Sequence, residues 1–299
     1  MIQNAQRLVD RVRRYVQDPV GVQQGNTFTD ADIVDFLNEE QDDLIAAMVA
    51  GSEDYFGVSK DLAFQAGVNV YPLFGGLLTL RRVQYLGGDQ ASQVNPTDMI
   101  ESRMVEGSDS IGGTATPDQA QYFYSVYCDD FNIAPTPQSD VSSPAARMYF
   151  IRDPGPILLE TLTSGGIVSA SQAKLTSVDA PLEDDIMVGT YLHIVSGTGV
   201  GQRRKITAYA GSTKQVTVDS PTSPPWDNTS KIATESRIVR MFHHLLALGA
   251  AKRAKTSVEE STKSIDGLYF KSMDRFEDFV YKARTGGQRA LQVVDFDVI

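Results

Sequence analysis

The sequence predicts an α+β chain: helices from both ends build a four-helix core, which carries β segments and a small inserted all-β barrel or sandwich. Three observations predict it. Apolar residues recur at helical spacing before about residue 50 and again after about residue 235. Between them the helical period vanishes, and Gly, Pro and Ser punctuate short runs rich in aromatic and β-branched residues. The composition, 41% hydrophobic and 22% charged over 299 residues, is that of a folded chain with enough apolar material for a sizeable core.

The elements follow in order. Ile2, Ala5, Leu8, Val12, Tyr15 and Val16 share one face of a first helix, which Asp18-Pro19 ends. Arg7, Arg11 and Arg14 form a second stripe on it, read as a solvated face or as a grip on an acidic neighbour. A second helix opens at Thr29, the expected N-cap, with Asp32 placed for a capping box and Phe28 for a staple onto Ile33. Ile33, Phe36, Leu37, Leu44, Ala47 and Met48 form its buried face, and Gly51 closes it.

Strands are predicted over 68–72, 77–86, 121–128, 131–133, 148–151 and 157–159, with loops over 107–116 and 135–145. Residues 163–230 read as the inserted all-β domain, clearest at 191–195, 203–209 and 215–218. Helix is expected to return near Glu235, and a last helix to run over about 259–284 with Ile265, Tyr269, Met273, Phe276 and Val280 on one face. The predicted division is thus 1–162 (first half of the bundle with β segments), 163–230, 231–284 (second half) and an extended arm, 285–299. That arm is apolar enough to dock on its own body or on a neighbouring chain.

Net charge is −11, unevenly spread: −5 over residues 1–50, −8 over 51–160, −1 over 161–230 and +3 over 231–299. An acidic chain is a poor partner for nucleic acid, because neutralising phosphates supplies most non-specific affinity. It suits a surface that must not hold DNA. No run approaches the ~18 apolar residues of a membrane span, so no membrane partner is expected. The start has no signal-peptide core, and synthesis inside the cell is expected. The single Cys128 and the three histidines leave little for a disulfide or metal centre.

Catalytic constellations are not found. Gly197-Thr-Gly-Val-Gly-Gln puts Gln202 where a nucleotide loop needs its third glycine, so a β-turn with positive-φ glycines is the expectation. His243 and His244 are adjacent on a helix and point about 100° apart, one expected in the core and one at an interface. The chain is therefore read as a non-enzyme without cofactor or metal.

The order of elements, with "Phe-Thr-Asp-Ala-Asp-Ile" at Phe28 to Ile33, Leu8 to Arg13 in the first helix, and Gly67 to Leu73 as a strand, resembles the head-to-tail connector adaptor family of tailed bacteriophages. In the strand this sequence departs from the family pattern, with Pro72 before Leu73. The resemblance covers about 1–160 and 232–284. It implies a structural virion protein of the neck, assembled in the host cytoplasm. Such a protein forms a homo-oligomeric ring, a dodecamer, between the portal protein and the tail nozzle or tube protein, with a channel for passing double-stranded DNA that is not specifically bound.

Ring contacts are heterologous and need two different complementary patches. The expected pair is Arg7, Arg11 and Arg14 against the acidic second helix, Asp35, Glu39 and Asp42 foremost. The expected portal- or tail-docking arm carries Arg289, Leu291, Val293, Val294, Phe296, Val298 and Ile299. The alternative is a carbohydrate- or receptor-binding tail module that reads its ligand with 163–230. Trp226 and Tyr209 would then be stacking platforms, against the plainer reading that both pack in a core or edge.

Overall fold

The structure is a computed structural model of the chain, described here for residues 4–17, 28–51, 57–73, 76–86, 92–96, 123–127, 130–134, 136–137 and 140–285. It divides into two compact units, Met1–Tyr55 with Pro154–Ile299, and Phe56–Asp153.

The first unit holds four α-helices among the described residues: α1 (Ala5–Val16), α2 (Asp30–Gly51), α3 (His243–Ser257) and α4 (Lys263–Thr285). Asn4 caps α1 by accepting the Arg7 amide, and Gln17 ends it in the left-handed region, its N–H donating to Arg13 O. The capping box of α2 is reciprocal. Thr29 N–H donates to Asp32 Oδ2 at 2.7 Å, and Asp32 N–H to Thr29 Oγ1 at 3.1 Å. Phe28 makes its aromatic contact edge-on with Phe36, 5.8 Å between centroids, one turn beyond the Ile33 expected from the staple.

Helix α3 is contacted by each of the other three helices, and α2 also meets α1 and α4. Residues Leu245 to Ala251 are all buried, so over these two turns α3 needs cover on every side. Helix re-entry comes later than the sequence suggests. Residues near Glu235 instead form a strand, β14 (Lys231–Thr234), a bridge from Glu235 to Asn4, and a short 3-10 helix at Arg240–Phe242. The spacing of Ile238, Phe242 and Leu245 resembles a helix because all three are buried apolar residues.

A seven-stranded sheet completes this unit: β8 (Leu159–Thr161), β14, β11 (Tyr191–Ser196), β12 (Arg203–Ala210), β13 (Gln215–Val218), β10 (Gln172–Lys174) and β9 (Ile167–Ser169), in that spatial order. Every pairing is antiparallel. The sheet curls around Leu175, Ile186, Leu192, Ile206, Val216 and Ile232, and it extends one strand beyond each end of 163–230. Helix α2 is tied to its entry. Asn38 acts as a strand partner to Ile157, accepting its N–H at 2.8 Å and donating to its carbonyl at 3.1 Å. The buried Gln41 donates to Gly155 O (3.0 Å) and accepts from Ser236 Oγ (2.6 Å).

The second unit is the other seven-stranded sheet, with order β1 (Gly57–Phe64), β7 (Val141–Arg152), β3 (Leu77–Tyr85), β4 (Ser92–Pro96), β5 (Phe123–Tyr127), β6 (Asp130–Ala134) and β2 (Val70–Pro72). Only β4–β5 is parallel. Its core gathers Phe64, Tyr71, Tyr85, Phe131, Met148 and Phe150. Strand β7 begins at Val141, inside the stretch read as a loop to 145, because it pairs with β1 on one side and β3 on the other. The stretch 107–116 lies outside the described residues.

Candidate functional site

The contact residues predicted from the sequence, apart from the 285–299 arm, lie on α1 and α2. On α1, Arg7 and Arg14 are exposed and Arg11 half-buried. Arg14 Nε reaches back to Asp10 O at 3.3 Å. The arginine with the deepest role is Arg13, which closes the Leu8 to Arg13 run and for which the sequence predicts no contact. It is buried, and its guanidinium donates to Asp30 Oδ1 at 2.9 Å. Lys231 Nζ donates to the other Asp30 oxygen at 2.8 Å. Burial alone would raise the Asp30 carboxyl, but the Lys231 and Arg13 bonds outweigh it and hold it below the ordinary value. The start of α2 is thereby fastened to α1 and to β14.

On α2, Asp35, Glu39 and Asp42 are exposed. Asp35 is raised by partial burial and then by three like charges, Asp179, Asp32 and Glu39. Glu39 has a partner within the chain: Arg253 of α3 donates to its Oε2 at 3.1 Å and also binds Asp43. The same guanidinium reaches the buried Glu40, with Nε to Oε2 at 3.2 Å. Tyr269 of α4 donates its hydroxyl to Glu40 Oε1 at 3.0 Å. Burial pushes the Glu40 carboxyl up, and the Tyr269 and Arg253 bonds offset only part of that. An open groove of about 460 Å³ lies along this seam, lined by Phe36, Glu39, Lys252, Arg253, Thr256 and Tyr269 among others.

A second polar knot lies on the curled sheet. Glu235 Oε2 meets His193 Nε2 at 3.2 Å and Arg203 at 3.1 Å, and the Arg203 guanidinium stacks 3.2 Å over the Tyr191 ring. Burial would raise Glu235, but the His193 bond and Arg203 charge win and lower it. Among the described residues no group of three or more His, Cys, Asp or Glu is placed to hold a metal ion. No helix among them is long and apolar enough to cross a membrane.

The stacking platforms of the carbohydrate reading are not available. Trp226 and Tyr209 are each 2% exposed. The indole donates to Ser169 O and the phenol to Pro181 O, both at 2.6 Å. Both rings fill the core of the curled sheet, where no sugar reaches them, and their polar ends are already satisfied. The glycine run is a turn, with φ of 77°, 80° and 90° at Gly197, Gly199 and Gly201. A Cβ at Gly197 would overlap the Thr229 carbonyl, so glycine is required there twice over.

The adjacent histidines divide as the sequence predicts. His243 is buried, with Nε2 on the Ile238 carbonyl at 2.9 Å; burial lowers its pKa. His244 lies between α3 and α4, with Nδ1 on the Met241 carbonyl and Nε2 on Ser272 Oγ. The docking arm, from Arg289 to Ile299, lies outside the described residues, as does Cys128.

Asp227, in the turn that precedes β14, is a carboxylate that no sequence motif singles out. Thr198 Oγ1 and Thr229 Oγ1 donate to it at 2.6 Å and the Thr229 amide at 2.8 Å, and these bonds push its carboxyl down to about 2. A lowered folded pKa gives stability that is present above the ordinary 3.8 and is lost as pH falls towards about 2. Thermal melts from pH 5 to pH 2 should therefore decline, and Asp227→Asn should flatten that decline. An identical slope in wild type and variant counts against this account.

No curated protein matches the chain. A family model described as SU10 adaptor protein matches residues 3–180. The match takes in α1, α2, the whole Phe56–Asp153 sheet and the first three strands of the curled sheet. It spans more than half of the chain, and the chain belongs to the SU10 adaptor family, a family of phage head-to-tail adaptors.

Proposed function

We propose that the chain is a non-catalytic neck protein of the virion, one wedge of a closed ring between portal and tail. The ring's channel passes double-stranded DNA without binding it. Family membership is the observation that carries this reading. The four helices act as one core that keeps the wedge rigid, with α3 at its centre. Arg7, Arg11 and Arg14 of one subunit face Asp35, Glu39 and Asp42 of the next, and the 285–299 arm reaches the portal or the tail nozzle. A net charge of −11 supports a wall that repels the phosphate backbone. Arg253 already engages Glu39 within the chain, so Asp35 leads the acidic half of the subunit contact.

The test is the mass of the full chain in solution, alone and on portal rings of the same phage, by light scattering. The wild type is expected to form a ring in at least one setting. Arg11→Glu should lower ring yield several-fold, and Asp35→Lys in the same chain should restore part of it. A wild type that rings in neither setting refutes the proposal.

A further inference from the structure

The connection between β10 and β11, residues 175–190, is pinned at many points. Leu175 N–H donates to Lys214 O at 2.8 Å. Glu160 Oε2 accepts the amides of Thr176 (3.0 Å) and Ser177 (2.7 Å). Lys214 Nζ donates to Ser177 O at 2.8 Å, Tyr209 Oη to Pro181 O at 2.6 Å, and Gly211 N–H to Asp184 Oδ1 at 2.8 Å. Yet this fixed loop turns Val178 and Leu182 outwards, 91% and 71% exposed, the two most exposed large hydrophobic side chains among the described residues. Ala180 between them is buried, so the loop is packed and the two side chains are displayed. A loop already held in place loses little conformational freedom when a partner covers it.

The surroundings indicate the partner's chemistry. Asp179 lies between the two apolar side chains in sequence and is near enough to Asp35 of α2 to act on its carboxyl. The other charges acting on Asp35 are Asp32 and Glu39, so on the α2 side the ground beside the apolar pair is acidic, while the Lys214 ammonium is bound to the Ser177 and Val178 carbonyls. Its complement is basic with some apolar surface. The outer side of α1 has that character: Arg11 and Arg14 flank the half-buried Tyr15, and their aliphatic stems add apolar area. Exposed ion pairs contribute little, so charge alone makes a weak contact. Persistent interfaces place a desolvated apolar anchor inside a polar rim.

We infer that Val178 and Leu182 are the apolar anchor of the acidic half of the subunit contact, seated on the Arg11–Tyr15 side of α1 of a second copy. Asp179 and Asp35 form the rim that meets the guanidinium groups. This deepens the ring proposal and rests on it.

The test uses the full chain. Val178→Asp with Leu182→Asp should raise the concentration for half-assembly at least roughly tenfold, alone or on portal rings, while thermal stability stays at the wild-type value because both side chains already face water. In a Cys128→Ser background, Val178→Cys chains mixed with Tyr15→Cys chains should give disulfide-linked pairs containing one of each. A ring that assembles like wild type with both aspartates present, or linkage only between Val178→Cys chains, overturns the anchor and leaves the ring standing. A wild type that assembles in neither setting, with no mixed linkage, overturns both.

Discussion

Arg253→Ala should destabilise the fold by about 3–5 kcal/mol, although the side chain it removes is a third exposed. The reason is the group left behind. Glu40 is 3% exposed, and Arg253 is the cation bound to its carboxylate. Without that cation, the Tyr269 hydroxyl is left as the hydrogen-bond donor to a carboxylate that is almost wholly buried. Glu39 and Asp43 face water and should lose little. Glu40→Gln should recover much of the loss in the Arg253→Ala chain, since a neutral amide keeps the Tyr269 bond. Chemical denaturation of the two variants and the double checks this, and a loss that survives in the double refutes it. Acidification also discriminates. A raised folded pKa means a stability term that is present in acid and fades as pH rises through the folded value, so the Arg253→Ala deficit should shrink as pH is lowered towards 4.

Gly249→Ala is the second large effect, and the sign is the point. In an exposed helix interior this change stabilises by about 1 kcal/mol, because alanine is the better helix former. Here it should destabilise by about 2–3 kcal/mol. A Cβ at this position falls on the Glu40 carboxyl group. That carboxyl is the far end of a flexible side chain, but Arg253 and Tyr269 hold it, and moving it breaks both bonds. Glycine at 249 is thus the notch that lets a charged side chain of α2 lie against the backbone of α3. Glu40→Ala combined with Gly249→Ala should return to the level of Glu40→Ala alone, which equilibrium unfolding measures directly. A stabilised Gly249→Ala chain would mean that the hub is looser than its geometry implies.

Local grammar was the legible part of this sequence. The capping box at Thr29 and Asp32, the positive-φ glycines of 197–201 and strand 215–218 follow from rules spanning four to six residues, and nothing distant overrides them. Strand β1 was missed because only Phe64 of its eight residues is buried, so no alternation marks it. Strands β8 and β14 were blurred because their pairing partners are about 70 residues apart in sequence. The Glu40 hub could not be read. Glu39, Glu40, Asp42 and Asp43 look alike on paper, and only the approach of α3 and α4 decides which one is buried. The pairing of Arg13 is hidden for the same reason: the residue closes the Leu8 to Arg13 run, but a guanidinium one position off an arginine stripe reads as solvated until Asp30 and Lys231 converge on the same spot. The Trp226 and Tyr209 rings show the reverse error, in which residue type suggested a ligand and burial assigned them to the core.

The grip of Asn38 and Gln41 on residues 155–157 has a topological corollary. The polypeptide departs from the end of α2 at Gly51 and is recaptured by the same helix ten to thirteen positions earlier, about 15–20 Å away along its axis. Departure and recapture are therefore both fixed by one rod, whatever lies in the excursion. A short bridge of roughly six extended residues would span that gap, so the length of the 56–153 excursion places no geometric demand on the helical frame.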